Sequence, residues 1–68
     1  MNVGIIGSGG REHAICVSLK NSEKINNIYC FPGNAGTSFI AQNIEANLNN
    51  FEELKHLIQK LNINLIII

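Results

Sequence analysis

The run Asn2-Val-Gly-Ile-Ile-Gly-Ser-Gly-Gly-Arg-Glu-His-Ala14 limits more than any other stretch what this chain can fold into. It reads as a short apolar strand, Val3–Ile6, entering a glycine-rich turn and then a helix with a charged first turn. Such a turn builds an anion site. Backbone N–H groups at a helix start lack partners and point outward, and the helix dipole adds partial positive charge there. Gly7, Gly9 and Gly10 carry no Cβ and tolerate positive φ, so an anion can pack against the main chain. The guanidinium of Arg11 can hold two phosphate oxygens at once, which a lysine ammonium cannot do in the same geometry.

A dinucleotide site would use the same elements, but the residues argue against one in two places. Counted from Gly7, the G-x-G-x-x-G pattern requires glycine or alanine where this chain has Glu12. An acidic ribose ligand is also expected about 20 residues after the turn, and here Ile28-Tyr-Cys-Phe31 runs instead into Pro32. The expectation is a phosphate site without adenosine recognition. A second loop, Pro32-Gly-Asn-Ala-Gly-Thr37, combines a rigid proline, two glycines and an asparagine that both donates and accepts. In a doubly wound parallel sheet both loops lie at the carboxyl ends of neighbouring strands, within reach of one another.

The remaining pattern predicts a helix over Arg11–Lys20 with Ile15 and Leu19 on its buried face, ended by Asn21-Ser22. A strand follows over Asn27–Phe31, then a helical turn at Ser38–Ala41 and a brief strand at Asn43–Glu45. Asn50 is placed to cap a helix over Phe51–Leu61, with Glu53 at its third position, an apolar stripe of Leu54, Leu57, Ile58 and Leu61, and Asn62 at its end. The nearly continuous apolar run Ile63–Ile68 predicts a parallel strand covered on both faces. His13 reads as structural rather than as a general base, because no nucleophile or carboxylate partner is visible beside it. His56 reads as surface, and Cys16 and Cys30 as core filler without a zinc or redox pattern. The frequent asparagines read as compositional bias.

At 68 residues there is room for one small domain. A 46% hydrophobic and 15% charged composition suits a globular α/β core, while zero net charge and no basic tract argue against nucleic acid or a membrane surface as partner. No signal-peptide pattern opens the chain, and Ile63–Ile68 is far short of the ~20 residues that span a bilayer. The expectation is a cytoplasmic protein.

Gly7-Ser-Gly-Gly-Arg-Glu-His-Ala14 together with Pro32-Gly-Asn-Ala-Gly-Thr37 resembles the amino-terminal domain of the phosphoribosylamine–glycine ligases, also called glycinamide ribonucleotide synthetases, along the whole chain. The resemblance implies a Rossmann-like, pre-ATP-grasp parallel sheet with flanking helices, incomplete at its carboxyl end. Residues 1–68 would be part of the substrate-binding domain, with the ATP-grasp and carboxyl-terminal domains lying beyond, reached through a Gly-Pro-Glu loop. The implied complete enzyme uses ATP to activate glycine as an acyl phosphate and joins it to 5-phosphoribosylamine, giving glycinamide ribonucleotide, ADP and phosphate in purine synthesis. Ser8, Gly9, Gly10, Arg11, Glu12, Gly33, Asn34, Gly36 and Thr37 would bind the phosphoribosyl substrate, Glu12 through sugar hydroxyls. No residue of this chain would be catalytic or bind metal; ATP and magnesium or manganese would be held downstream. Two other readings stay open at this point: a non-catalytic domain that binds a phosphate ligand, and the nucleotide-cofactor domain of an oxidoreductase.

Overall fold

Four short strands form one sheet in the computed structural model, which describes residues 1–68. In chain order the elements are β1 (Asn2–Gly7), α1 (Gly10–Lys20), β2 (Asn27–Pro32), a 3₁₀ turn (Thr37–Phe39), β3 (Gln42–Asn43), α2 (Phe51–Lys60) and β4 (Leu65–Ile67). The spatial order is β3-β2-β1-β4, and every neighbouring pair is parallel. The α/β class expected from the sequence is therefore the class observed. The strand order reverses direction at β1, so the carboxyl end of β1 is the topological switch point where sheets of this kind bind ligands. The glycine turn begins there.

Alternation along the strands divides the apolar residues between the two faces. Val3, Ile5, Ile28 and Cys30 point to one face and meet Cys16 of α1, and Ile15, Leu19, Ile25, Ile40, Ala41 and Ile67 pack around them. On the opposite face Gly4 leaves room for two neighbours: a Cβ there would stand 2.8 Å from Ile66 Cδ1 and 3.2 Å from Phe31 Cε2. α2 lies in the connection that leads from β3 past β2 and β1 to β4. Leu54, Leu57, Ile58 and Leu61 are half-buried, and no residue of α2 is fully buried.

The cysteines lie in the core, as expected, and the two meet. Cys16 Sγ and Cys30 Sγ stand 3.3 Å apart as free thiols. Burial, helped by the hydrogen bond and charge of Cys16, pushes the Cys30 thiol up to about 12. The folded state thus holds its proton more tightly than the unfolded chain. Stability from this group is complete below pH 9 and declines between pH 9 and about 12, as the unfolded thiol ionises first. Urea unfolding at a series of alkaline pH values checks this: the stability margin of the wild type over Cys30→Ala should narrow across that window, and a constant margin would refute it.

Two strands, β3 and β4, differ from the sequence expectation in ways with a physical cause. β3 covers Gln42–Asn43 rather than Asn43–Glu45. Ile44 N–H still donates to Cys30 O at 2.7 Å, but the next ladder bond requires an N–H from residue 32, and Pro32 has none. β4 is shorter than Ile63–Ile68 because Ile63 belongs to the helix end. Its N–H donates to Ile58 O at 3.0 Å and that of Asn62 to Gln59 O at 3.2 Å, around Asn62 at φ 54, which is the Schellman arrangement. Among these residues β4 has β1 as its one hydrogen-bonded neighbour; Ile67 packs into the core on one face and Ile66 lies over Gly4 on the other, while Leu65 is 47% exposed.

The asparagines are structural devices, which corrects their reading as compositional bias. Asn50 Oδ1 accepts from Glu53 N–H at 3.1 Å and caps α2. The Asn2 side chain donates to Leu61 O and Asn62 O and accepts from Asn27 Nδ2, while Asn64 Oδ1 accepts from Asn2 N–H. These bonds stitch the amino ends of the strands together, opposite the glycine loops.

Candidate functional site

β1 ends at Gly7, whose φ of 142° lies outside what other residues adopt readily, and the chain turns through Ser8 into α1. Gly9 is extended at the head of the helix, with φ −94° and ψ −175°. The amides of Gly10 and Arg11 follow in the first turn and find no acceptor within the chain. The Arg11 side chain is 72% exposed, and its Nε lies 3.9 Å from Glu12 Oε1, so the guanidinium remains available to an anion.

Glu12 turns back over the loop. Its Oε2 accepts from Gly9 N–H at 2.9 Å, closing the head of the helix with its own carboxylate. A Cβ on Gly7 would sit 2.5 Å from Glu12 Cδ, so this carboxylate lies in the space a side chain at residue 7 would need. Its capping role is therefore visible in the geometry.

The second loop leaves β2 through a cis Phe31–Pro32 bond and joins the first directly. Gly33 N–H donates to Gly7 O at 3.1 Å, and Asn34 Nδ2 donates to Ser8 O at 2.9 Å and to Gly9 O at 3.1 Å. The amide of Asn34 is thus a clamp between the loops, and its Oδ1 accepts from Thr37 N–H at 2.9 Å. Thr37 is fully buried, and its hydroxyl accepts from Asn34 N–H at 2.8 Å. Gly36 lies beneath His13: a Cβ there would stand 3.0 Å from the imidazole Cδ2.

The nine residues singled out from the sequence therefore collect in one region, in two tiers. Ser8, Gly9, Gly10 and Arg11 form an exposed rim. Gly33, Asn34, Gly36, Thr37 and Glu12 are buried or half-buried around it, with polar groups that bond within the chain. Sequence reasoning missed Asn43, whose side chain reaches this second loop from β3. No local pattern marks it, because its partners lie nine and six residues away across a turn.

A family model described as the phosphoribosylglycinamide synthetase N domain matches residues 1–68. The chain belongs to this family. Among similar proteins, a phosphoribosylamine–glycine ligase from Clostridium acetobutylicum is 40% identical over all of this chain and 16% of its own length. One from Rhodopirellula baltica is 37% identical over 98% of this chain and 15% of its length. Another, from Caldanaerobacter subterraneus, is 44% identical over 81% of this chain and 13% of its length. The chain thus spans roughly a sixth or less of these relatives. The two glycine loops that carry the resemblance lie within the matched residues.

Proposed function

We propose that this chain is the phosphoribosyl-holding part of an ATP-dependent ligase that joins glycine to 5-phosphoribosylamine, forming glycinamide ribonucleotide, ADP and phosphate in purine synthesis. The observation that carries the reading is the meeting of two glycine loops at the carboxyl ends of β1 and β2, with the Gly10 and Arg11 amides unpartnered beside an exposed guanidinium. A phosphate is the ligand such a rim suits: backbone N–H groups and the dipole of α1 face it, and Arg11 can grip it from the side. Glu12 stands next to the rim and would receive ribose hydroxyls, its charge kept from the phosphate by the Gly9 N–H it already holds.

The chemistry of activation belongs elsewhere in this reading. ATP and magnesium or manganese are held, in this reading, by residues beyond this chain. Its contribution is orientation: fixing the phosphoribosyl end directs the amine toward the activated glycine, and such positioning can be worth several kcal/mol, roughly, in a two-substrate reaction. The test is to assay the full-length protein for ADP release, with phosphoribosylamine generated in solution from ribose 5-phosphate and ammonia. Release that requires both glycine and phosphoribosylamine is expected. ADP release indifferent to phosphoribosylamine, or none at all from the folded protein, would refute the reading.

A further inference from the structure

We infer that Asn43 is a positioning residue for the phosphoribosyl end of the substrate, acting by holding the Gly33–Thr37 loop in the shape that lets Asn34 clamp the glycine turn. The inference rests on the binding reading above and goes beyond it, because Asn43 lies on β3, outside both glycine loops.

Its side chain spans the loop from below. Asn43 Nδ2 donates to Asn34 O at 2.8 Å, and Asn43 Oδ1 accepts from Thr37 Oγ1 at 2.7 Å. Only one orientation of the amide satisfies both partners, since a carbonyl oxygen can accept but not donate. The Thr37 hydroxyl has one proton to give. Its two acceptors are Asn43 Oδ1 at 2.7 Å and Asn34 O at 3.0 Å, and the shorter contact, to an oxygen with no other donor, takes it. That leaves the hydroxyl oxygen free to accept from Asn34 N–H at 2.8 Å.

The bonds then run in one direction to the site. Asn43 fixes Thr37 and the backbone of Asn34. Thr37 in turn holds the Asn34 side chain, because its own N–H donates to Asn34 Oδ1 at 2.9 Å. That orients Asn34 Nδ2 onto Ser8 O and Gly9 O; the amide after the first is held by Glu12, and the amide after the second, Gly10 N–H, is one of the two left for the ligand. The residue is seated by backbone as well. Asn43 pairs with Cys30 in the sheet, so its height relative to the end of β2 is set by strand register. Gly33 lies against the same amide, with space there for a hydrogen only.

In the full-length ligase, Asn43→Ala removes both bonds to the loop and should raise KM for phosphoribosylamine about tenfold. Asn43→Asp keeps the size of the side chain and the acceptor for Thr37 but turns a carboxylate oxygen toward Asn34 O, so its effect should be at least as large. KM for glycine and ATP, and kcat at saturation, should stay within about twofold. Should Asn43→Ala fail to fold, Asn43→Asp decides alone. The inference is overturned if phosphoribosylamine KM stays at the wild-type value in the folded variants while Arg11→Ala raises it. It is equally overturned if all three KM values rise together, the mark of general structural damage. If Arg11→Ala also has no effect, the binding reading itself falls, and the two failures are thereby distinguished.

Discussion

Gly33→Ala should cost about 3 kcal/mol or more of stability and remove most phosphoribosyl binding, through one methyl group in the wrong place. Two effects add. Gly33 has φ 77°, where an L-residue with a Cβ is strained by about 1–3 kcal/mol. The new Cβ would also run into the Asn43 amide and lie 2.7 Å from Thr37 Oγ1, forcing apart the pair that holds the loop. Chains of this size have roughly 3–10 kcal/mol of net stability to lose, so the change is large on that scale. Urea unfolding followed by tyrosine fluorescence, with ribose 5-phosphate binding measured below the transition, gives both numbers. A loss under about 0.5 kcal/mol, the ordinary surface range, would show that the loop yields and that its shape is not fixed as described.

Arg11→Ala should act on function and leave stability alone. The guanidinium is largely exposed and 3.9 Å from its nearest acidic oxygen, so it contributes little to the fold. A cation at the amino end of a helix even opposes the dipole, by a few tenths of a kcal/mol, roughly. If it grips the phosphate, its removal loses a charge-assisted pair worth about 1.5–3 kcal/mol. KM for phosphoribosylamine should then rise about 10- to 100-fold, with those for glycine and ATP nearly unchanged and the unfolding midpoint unmoved or slightly higher. Arg11→Lys should recover only part, because an ammonium cannot make the two parallel bonds. An unchanged phosphoribosylamine KM would sink the assignment of Arg11.

Features written in contiguous residues were legible before any coordinates. The strand, turn and helix of Asn2–Ala14 read directly from apolar run, glycines and charge, and the Asn50 cap, the α2 stripe and the Asn62 terminus read from spacing. The two loops could be paired because parallel topology brings adjacent strand ends together. What the sequence hid was set by partners far along the chain. The length of β3 depends on a donor that Pro32 lacks, at the end of the neighbouring strand. An apolar run such as Ile63–Ile68 looks the same whether its strand is central or at an edge, and only the neighbours of β4 decide that. Asparagine was the least legible residue type. It can cap, clamp or sit in solvent, and Asn2, Asn34, Asn43 and Asn50 differ in role solely through what the fold brings within reach.

The carboxylate that Glu12 folds over its own turn changes how an incoming anion would be received. With Arg11 beside it, the rim carries one formal charge of each sign, so no net formal charge is there to draw ligands from a distance. Discrimination would then fall to short range, to whether a ligand's oxygens match amides that are already aimed. Such an entrance gives up long-range capture in favour of fit, and indiscriminate polyanions crowding the surroundings have little purchase on it.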